Sequence, residues 1–124
     1  MLNILRKFFS FLESQAKLHS VVLRDERTDG DTRYLGAKYC ANGDLLIEGQ
    51  DIGDRVEAVF GYIEYEWMWT IKSTNLPKLA KALGVKSNLL GALKLRFSGN
   101  AAADLWDFLA ENEIPYESWS RIGD

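Results

Sequence analysis

The stretch Ile63-Glu-Tyr-Glu-Trp-Met-Trp-Thr-Ile-Lys72 decides how this chain folds. Ile63, Tyr65, Trp67, Trp69 and Ile71 alternate with Glu64, Glu66, Met68, Thr70 and Lys72, which is the two-residue period of a strand. One face is aromatic and aliphatic, and the other is mostly polar. A strand of this kind belongs to an antiparallel sheet with one side buried and the other facing water or a partner.

Upstream of it the same period recurs in shorter runs. Val21, Val22 and Leu23 begin a first strand that leads into a polar turn over residues 25–31. Residues 33–40 and 45–48 flank Ala41-Asn-Gly-Asp44, where Asn42-Gly43 predicts a hairpin with a type I′ turn. Residues 50–53 are expected to form a loop. One or two turns of helix follow within residues 51–60, with Val56, Val59 and Phe60 inward.

Downstream the period lengthens. Asn75-Leu76-Pro77 opens a helix with Leu76, Leu79, Ala80 and Leu83 inward, and Gly84 stops it. Ser87 is placed to cap a second helix carrying Leu90, Leu93 and Phe97 on one face. After the Ser98-Gly-Asn100 break, Asn100 caps residues 101–112, whose apolar stripe is Leu105, Trp106, Phe108 and Leu109. Ile114-Pro115 ends that helix and residues 116–120 return as an edge strand. Strands first and helices later predict an α+β fold, an antiparallel sheet with helices packed on one face.

The sheet is preceded by an N-terminal amphipathic helix over residues 1–17. Met1, Leu5, Phe8 and Leu12 share a stripe, while Asn3, Arg6, Lys7, Ser10 and Glu13 face away. Such a helix fits a membrane surface, a dimer contact or the protein's own core, and core packing is the expected role. The whole chain, 1–124, reads as one domain: 1–17 a helix, 18–73 mainly strands, 74–124 mainly helices with a final strand.

Composition narrows the function. The chain is 47% hydrophobic and 27% charged, which excludes a disordered polymer. No run approaches the roughly 18–20 apolar residues of a membrane span, and residues 8–12 are too short for a signal peptide's apolar region. A soluble cytoplasmic protein is expected, and the lone thiol of Cys40 suits that compartment. With one cysteine and one histidine no Cys/His zinc cluster can be built. Cys40 is expected to be a partly buried small hydrophobe, and His19, with no acid beside it in sequence, is not expected to be catalytic. The acids of residues 25–31 lack the spacing of a calcium loop, and no glycine run matches a phosphate loop or a dinucleotide fingerprint. No cofactor or metal is expected.

Charge is segregated along the chain. Residues 44–71 hold seven acids and one base, while residues 72–103 hold six bases and no acid, within a net charge of −3. A pI near 5.2, and a basic segment without interleaved surface aromatics, speak against nucleic-acid binding. The acids that escape local pairing, Asp51, Asp54, Glu57, Glu64 and Glu66, are the candidate contacts, with Tyr62 as an aromatic anchor. Glu64 and Glu66 also sit about 7 Å apart on one strand face, a separation open to an acid/base pair.

Three blocks carry a family likeness: Asp44-Leu-Leu-Ile-Glu-Gly-Gln-Asp-Ile-Gly53, the run from Val56-Glu57 through Phe60-Gly61 to Tyr65-Glu66-Trp67, and Leu76-Pro77 with the later Ile114-Pro115-Tyr116. Together they resemble small bacterial proteins of polymorphic-toxin loci, including immunity proteins of contact-dependent growth inhibition systems. The resemblance spans roughly residues 20–120 and rests on loop and packing motifs. It implies a non-catalytic protein that binds and neutralises the C-terminal domain of a cognate toxin, often a nuclease. No binding residue carries over, because immunity proteins diverge where they touch their toxins. The competing expectations are a small adaptor or ligand-binding module and a carboxylate-dependent enzyme using Glu64 or Glu66. Oligomeric state is left open.

Overall fold

The computed structural model describes residues 19–123. The helix expected over residues 1–17 lies outside the described residues, as does the inward placement expected for the Phe60 side chain. The fold is α+β. Five strands, β1 (Ser20–Thr28), β2 (Asp31–Tyr39), β3 (Leu45–Gly53), β4 (Glu64–Ile71) and β5 (Glu117–Gly123), form one antiparallel sheet in the order β1-β2-β3-β4-β5. Helix α1 (Asp54–Phe60) joins β3 to β4, and α2 (Leu76–Leu83), α3 (Leu89–Arg96) and α4 (Leu105–Glu111) lie between β4 and β5 in sequence.

The strand at residues 63–72 forms as its period demands, and it is flanked on both sides by β3 and β5. The runs before it are longer than their composition suggests. β1 continues through residues 25–28, paired with Tyr34, Arg33, Thr32 and Asp31 of β2. β3 continues through Gly53, so the loop expected at residues 50–53 is a strand held between β2 and β4. Pairing with neighbours outweighs the low strand propensity of Asp, Gln and Gly.

The β2–β3 hairpin is present, but its turn is not type I′. Gly43 alone has a positive φ, 89°, and its N–H donates to the Cys40 carbonyl at 3.0 Å. The Cys40 N–H then meets the Asp44 carbonyl at 2.8 Å, closing a three-residue loop with glycine in the left-handed position. Asn42 acts through its side chain, accepting from the Asp44 N–H at 3.0 Å.

The helical punctuation follows the sequence with two shifts. Gly84 ends α2 with φ 74°. Asn88, not Ser87, caps α3, accepting from the Gly91 N–H at 3.1 Å. Residues 99–104 form a 3-10 helix, and the α-helix proper starts only at Leu105. The last strand starts at Glu117 and extends to Gly123.

The core lies between the sheet and α2–α4. Leu45, Ile47, Ile71, Leu79, Leu93, Leu105 and Leu109 are completely enclosed. Phe97 and Phe108 meet at 5.1 Å between ring centroids, and the Arg96 guanidinium lies 4.5 Å from the Phe108 ring centre. The Lys94 ammonium reaches the Val22 carbonyl and ties α3 to β1. Two residues expected inside are outside. Val59 is 70% exposed on α1, a helix that packs chiefly on β3 and β4 and whose Arg55 N–H donates to Asp31 of β2. Trp106 is 55% exposed, about 100° round the helix from the enclosed Leu105.

Replacing Leu93 by Ala should destabilise the protein by about 2–5 kcal/mol, the range for emptying an enclosed leucine site. Leu95→Ala, on the same helix but 90% exposed, should change stability by less than about 0.5 kcal/mol. Urea unfolding of the two variants makes the comparison, and equal losses would contradict the packing described.

Candidate functional site

The helices cover only part of the sheet's inner face. The covered part is aliphatic: Ala37, Ile47, Leu45 and Ile71 lie in register across β2, β3 and β4. Further along the same strands the inward positions become Arg24 and Glu26 on β1, Arg33 on β2, Gly49 and Asp51 on β3, and Tyr65 and Trp67 on β4. Of these, Arg24, Arg33, Asp51, Tyr65 and Trp67 line a cleft of about 470 Å³, bordered on the helical side by Ala102, Ala103 and Trp106.

Gly49 shapes its floor. It stands opposite Trp67 in the β3–β4 ladder, and a Cβ there would overlap the indole atoms Cε2 and Cζ2. The missing side chain lets the Trp67 ring lie down across β3. Tyr65 stacks beside it at 5.2 Å between centroids and 26° between planes, and Trp69 follows at 6.5 Å. Trp106 bends over from α4 and donates its indole N–H to the Tyr116 hydroxyl at 2.7 Å. The result is an aromatic floor, lying along the sheet at Trp67 and tilted by 46° at Trp69, with Ala102 and Ala103 opposite.

The β1–β2 side of the cleft is charged. The Arg24 side chain is only 11% exposed and gives one guanidinium nitrogen to Glu26 at 3.0 Å. Its Nε and the Nε1 of Trp67 are buried and have no acceptor among the described residues. Arg33 approaches Asp51 through a looser contact, 3.7 Å. Burial pushes the Asp51 carboxyl above its ordinary value, while Arg33, then Arg24, pull the other way.

Asp51 therefore does not escape local pairing as the sequence suggests. It faces the cleft, whereas the other five candidates lie elsewhere. Asp54 and Glu57 stand exposed in the first turn of α1, where negative charge favours the helix dipole. Tyr62 follows α1 and is 48% exposed, beside Ile63 at 41%. Glu64 and Glu66 face the opposite, open side of the sheet, and they too are engaged. The Gln50 amide donates to Glu64 at 2.9 Å and to Glu66 at 3.2 Å. The interaction between the two carboxyls lowers Glu64 and raises Glu66 from their ordinary values.

His19 sits in the turn before β1, its carbonyl accepting from the Tyr39 N–H at 2.9 Å, and Cys40 is a half-buried free thiol at the end of β2. Among the described residues, no group of three or more His, Cys, Asp or Glu is placed to hold a metal. Of the arginines interleaved with the acids of residues 25–31, Arg24 pairs with Glu26 of that stretch, while Arg33 turns instead to Asp51 of β3. Their gathering with Trp67 and Trp106 into one cleft was not legible from spacing. The signal that pointed to it is Gly49, a residue without a side chain in the middle of a strand.

Compared with known protein families, with curated proteins and with solved structures, the chain finds no match.

Two measurements check this geometry. Gly49→Ala should cost about 1–3 kcal/mol by forcing Trp67 off the sheet, and should shift the tryptophan fluorescence. Unchanged fluorescence would contradict the close approach. Asp51 has a folded pKa above its unfolded value, so its contribution is complete at low pH and is lost as pH rises through the folded value. The melting temperature of the wild type relative to Asp51→Asn should accordingly fall as pH climbs out of the ordinary carboxylate range. A difference that rises with pH would contradict the dominance of burial.

Proposed function

We propose that this protein is an immunity protein, which binds the C-terminal domain of a cognate toxin and neutralises it by occupying the active site or a surface beside it. The observation that carries the reading is the surface around the β3–α1–β4 connection. Asp54 and Glu57 stand exposed there within a few residues of the exposed apolar side chains Val59, Tyr62 and Ile63. Acids around a small apolar centre suit a partner with a cationic face, since apolar anchors supply affinity and the charges steer encounter.

Lys78, Lys81, Lys86, Lys94 and Arg96 are exposed on or beside the helical layer, but Asp104, Asp107, Glu111 and Glu113 are exposed there too. The reading therefore rests on the local acids of α1 and not on a basic opposite face. The family likeness of residues 44–53 and 56–67 brackets this same connection. In this reading the protein acts in the cytoplasm, needs no cofactor and performs no reaction. No described helix is long and apolar enough to cross a membrane.

The test is association of the protein with the C-terminal toxin domain encoded beside it, followed at two salt concentrations. Binding should be tight, and its association rate should fall as salt rises. Reversing charge with Asp54→Lys and Glu57→Lys together should slow association on the order of three- to tenfold at low salt, with only a modest fall in melting temperature from the lost helix-dipole interaction. Absence of binding, or an association rate blind to both salt and charge reversal, would overturn the proposal.

A further inference from the structure

We infer that the cleft over Trp67 is a binding site for a small planar ring compound bearing an anionic oxygen group, a carboxylate or a phosphate. This site is separate from the exposed surface around α1 and does not depend on the immunity reading.

Shape is the first argument. The volume, about 470 Å³, lies within the range of small-molecule sites, and the cavity is roofed on one side only. Its floor is flat because Gly49 lets the Trp67 indole lie along the sheet, with Tyr65 stacked at its edge. Ala102 and Ala103 project only methyl groups from the 3-10 helix opposite. A slot with an aromatic floor and a low roof accepts a ring face-on, as ring stacking prefers.

Charge and hydrogen bonding supply the second argument. Arg24 and Arg33 line the slot against a single lining carboxylate, Asp51. Glu26 engages Arg24 through one guanidinium nitrogen. Arg24 Nε and Trp67 Nε1, buried donors without acceptors among the described residues, both belong to residues of the slot. Among the lining side chains donors thus outnumber acceptors, and charge-assisted acceptors answer an arginine best. A cationic ring meets two guanidiniums and is disfavoured. A non-planar ring loses contact with the floor.

Two sources offer this chemistry, a simple aromatic acid and a mononucleotide. The indole N–H signals of the ¹⁵N-labelled full-length protein separate them, with indole-3-acetate and guanosine 5′-monophosphate as probes. Tryptamine and cyclohexanecarboxylate are the controls for charge and planarity. Saturable shifts of the Trp67 signal are expected from at least one anionic ring at concentrations where neither control saturates. The tighter of the two probes identifies the source. Ala103→Leu lowers the roof from an exposed position, and Arg33→Gln removes one charge. Each should weaken that binding by about tenfold or more while keeping the melting temperature near that of the wild type. Failure of both anionic rings to saturate, equal binding of the controls, or binding indifferent to both variants would overturn the inference.

Discussion

The contact of the Trp67 indole with the backbone of Gly49 organises the inner face of this sheet. Trp67 belongs to the most regular strand of the chain, and its alternation points it inward. Had β3 carried a side chain at 49, the ring would stand upright and fill the space beneath residues 99–104. With glycine there it lies flat, and the layer of side chains over β3 and β4 becomes one ring thick. Ala103 and Trp106 then border an open space, beside Ala102, which packs into the core. The aliphatic core and the cleft thus share one continuous sheet surface, divided where β3 passes from Ile47 to Gly49.

Period-two and period-3.6 patterns made most of the architecture legible. β4, the hairpin at residues 40–44, the start of α2 at Leu76-Pro77, its stop at Gly84 and the return strand after Pro115 all lie where local chemistry puts them. What escaped was decided by pairing across the sheet. Residues 25–28 and 50–53 look like turns because they are polar, yet each is zipped to a strand whose register is already set. The turn at Asn42-Gly43 failed in a smaller way, since the Asn-Gly pair signals a tight hairpin without fixing which of the two residues takes positive φ. Trp106 lies outside the apolar stripe because a 3-10 segment precedes its helix and the buried positions, 105, 108 and 109, span a narrower face.

The candidate residues divide by the same logic. Sequence spacing places Asp51, Asp54, Glu57, Tyr62, Glu64 and Glu66 close together along the chain. The sheet then separates them, because alternate residues of a strand point to opposite faces. Asp51 enters the cleft beside Arg33, Glu64 and Glu66 share Gln50 on the open face, and α1 carries Asp54 and Glu57 beyond the end of the sheet. The cleft, in contrast, draws on β1, β2, β3, β4 and the 3-10 helix, elements scattered over some eighty positions. No local pattern announces such a site; only strand order and register assemble it.

The most direct measurement of this account is the proton spectrum of Gly49. If the Trp67 indole lies across it, the Gly49 α-protons fall in the ring's shielding cone. They should resonate well upfield of the random-coil position, with strong nuclear Overhauser contacts to the indole benzo ring. Random-coil shifts without those contacts would mean that the ring stands upright, and the flat-floored cleft would be lost with it.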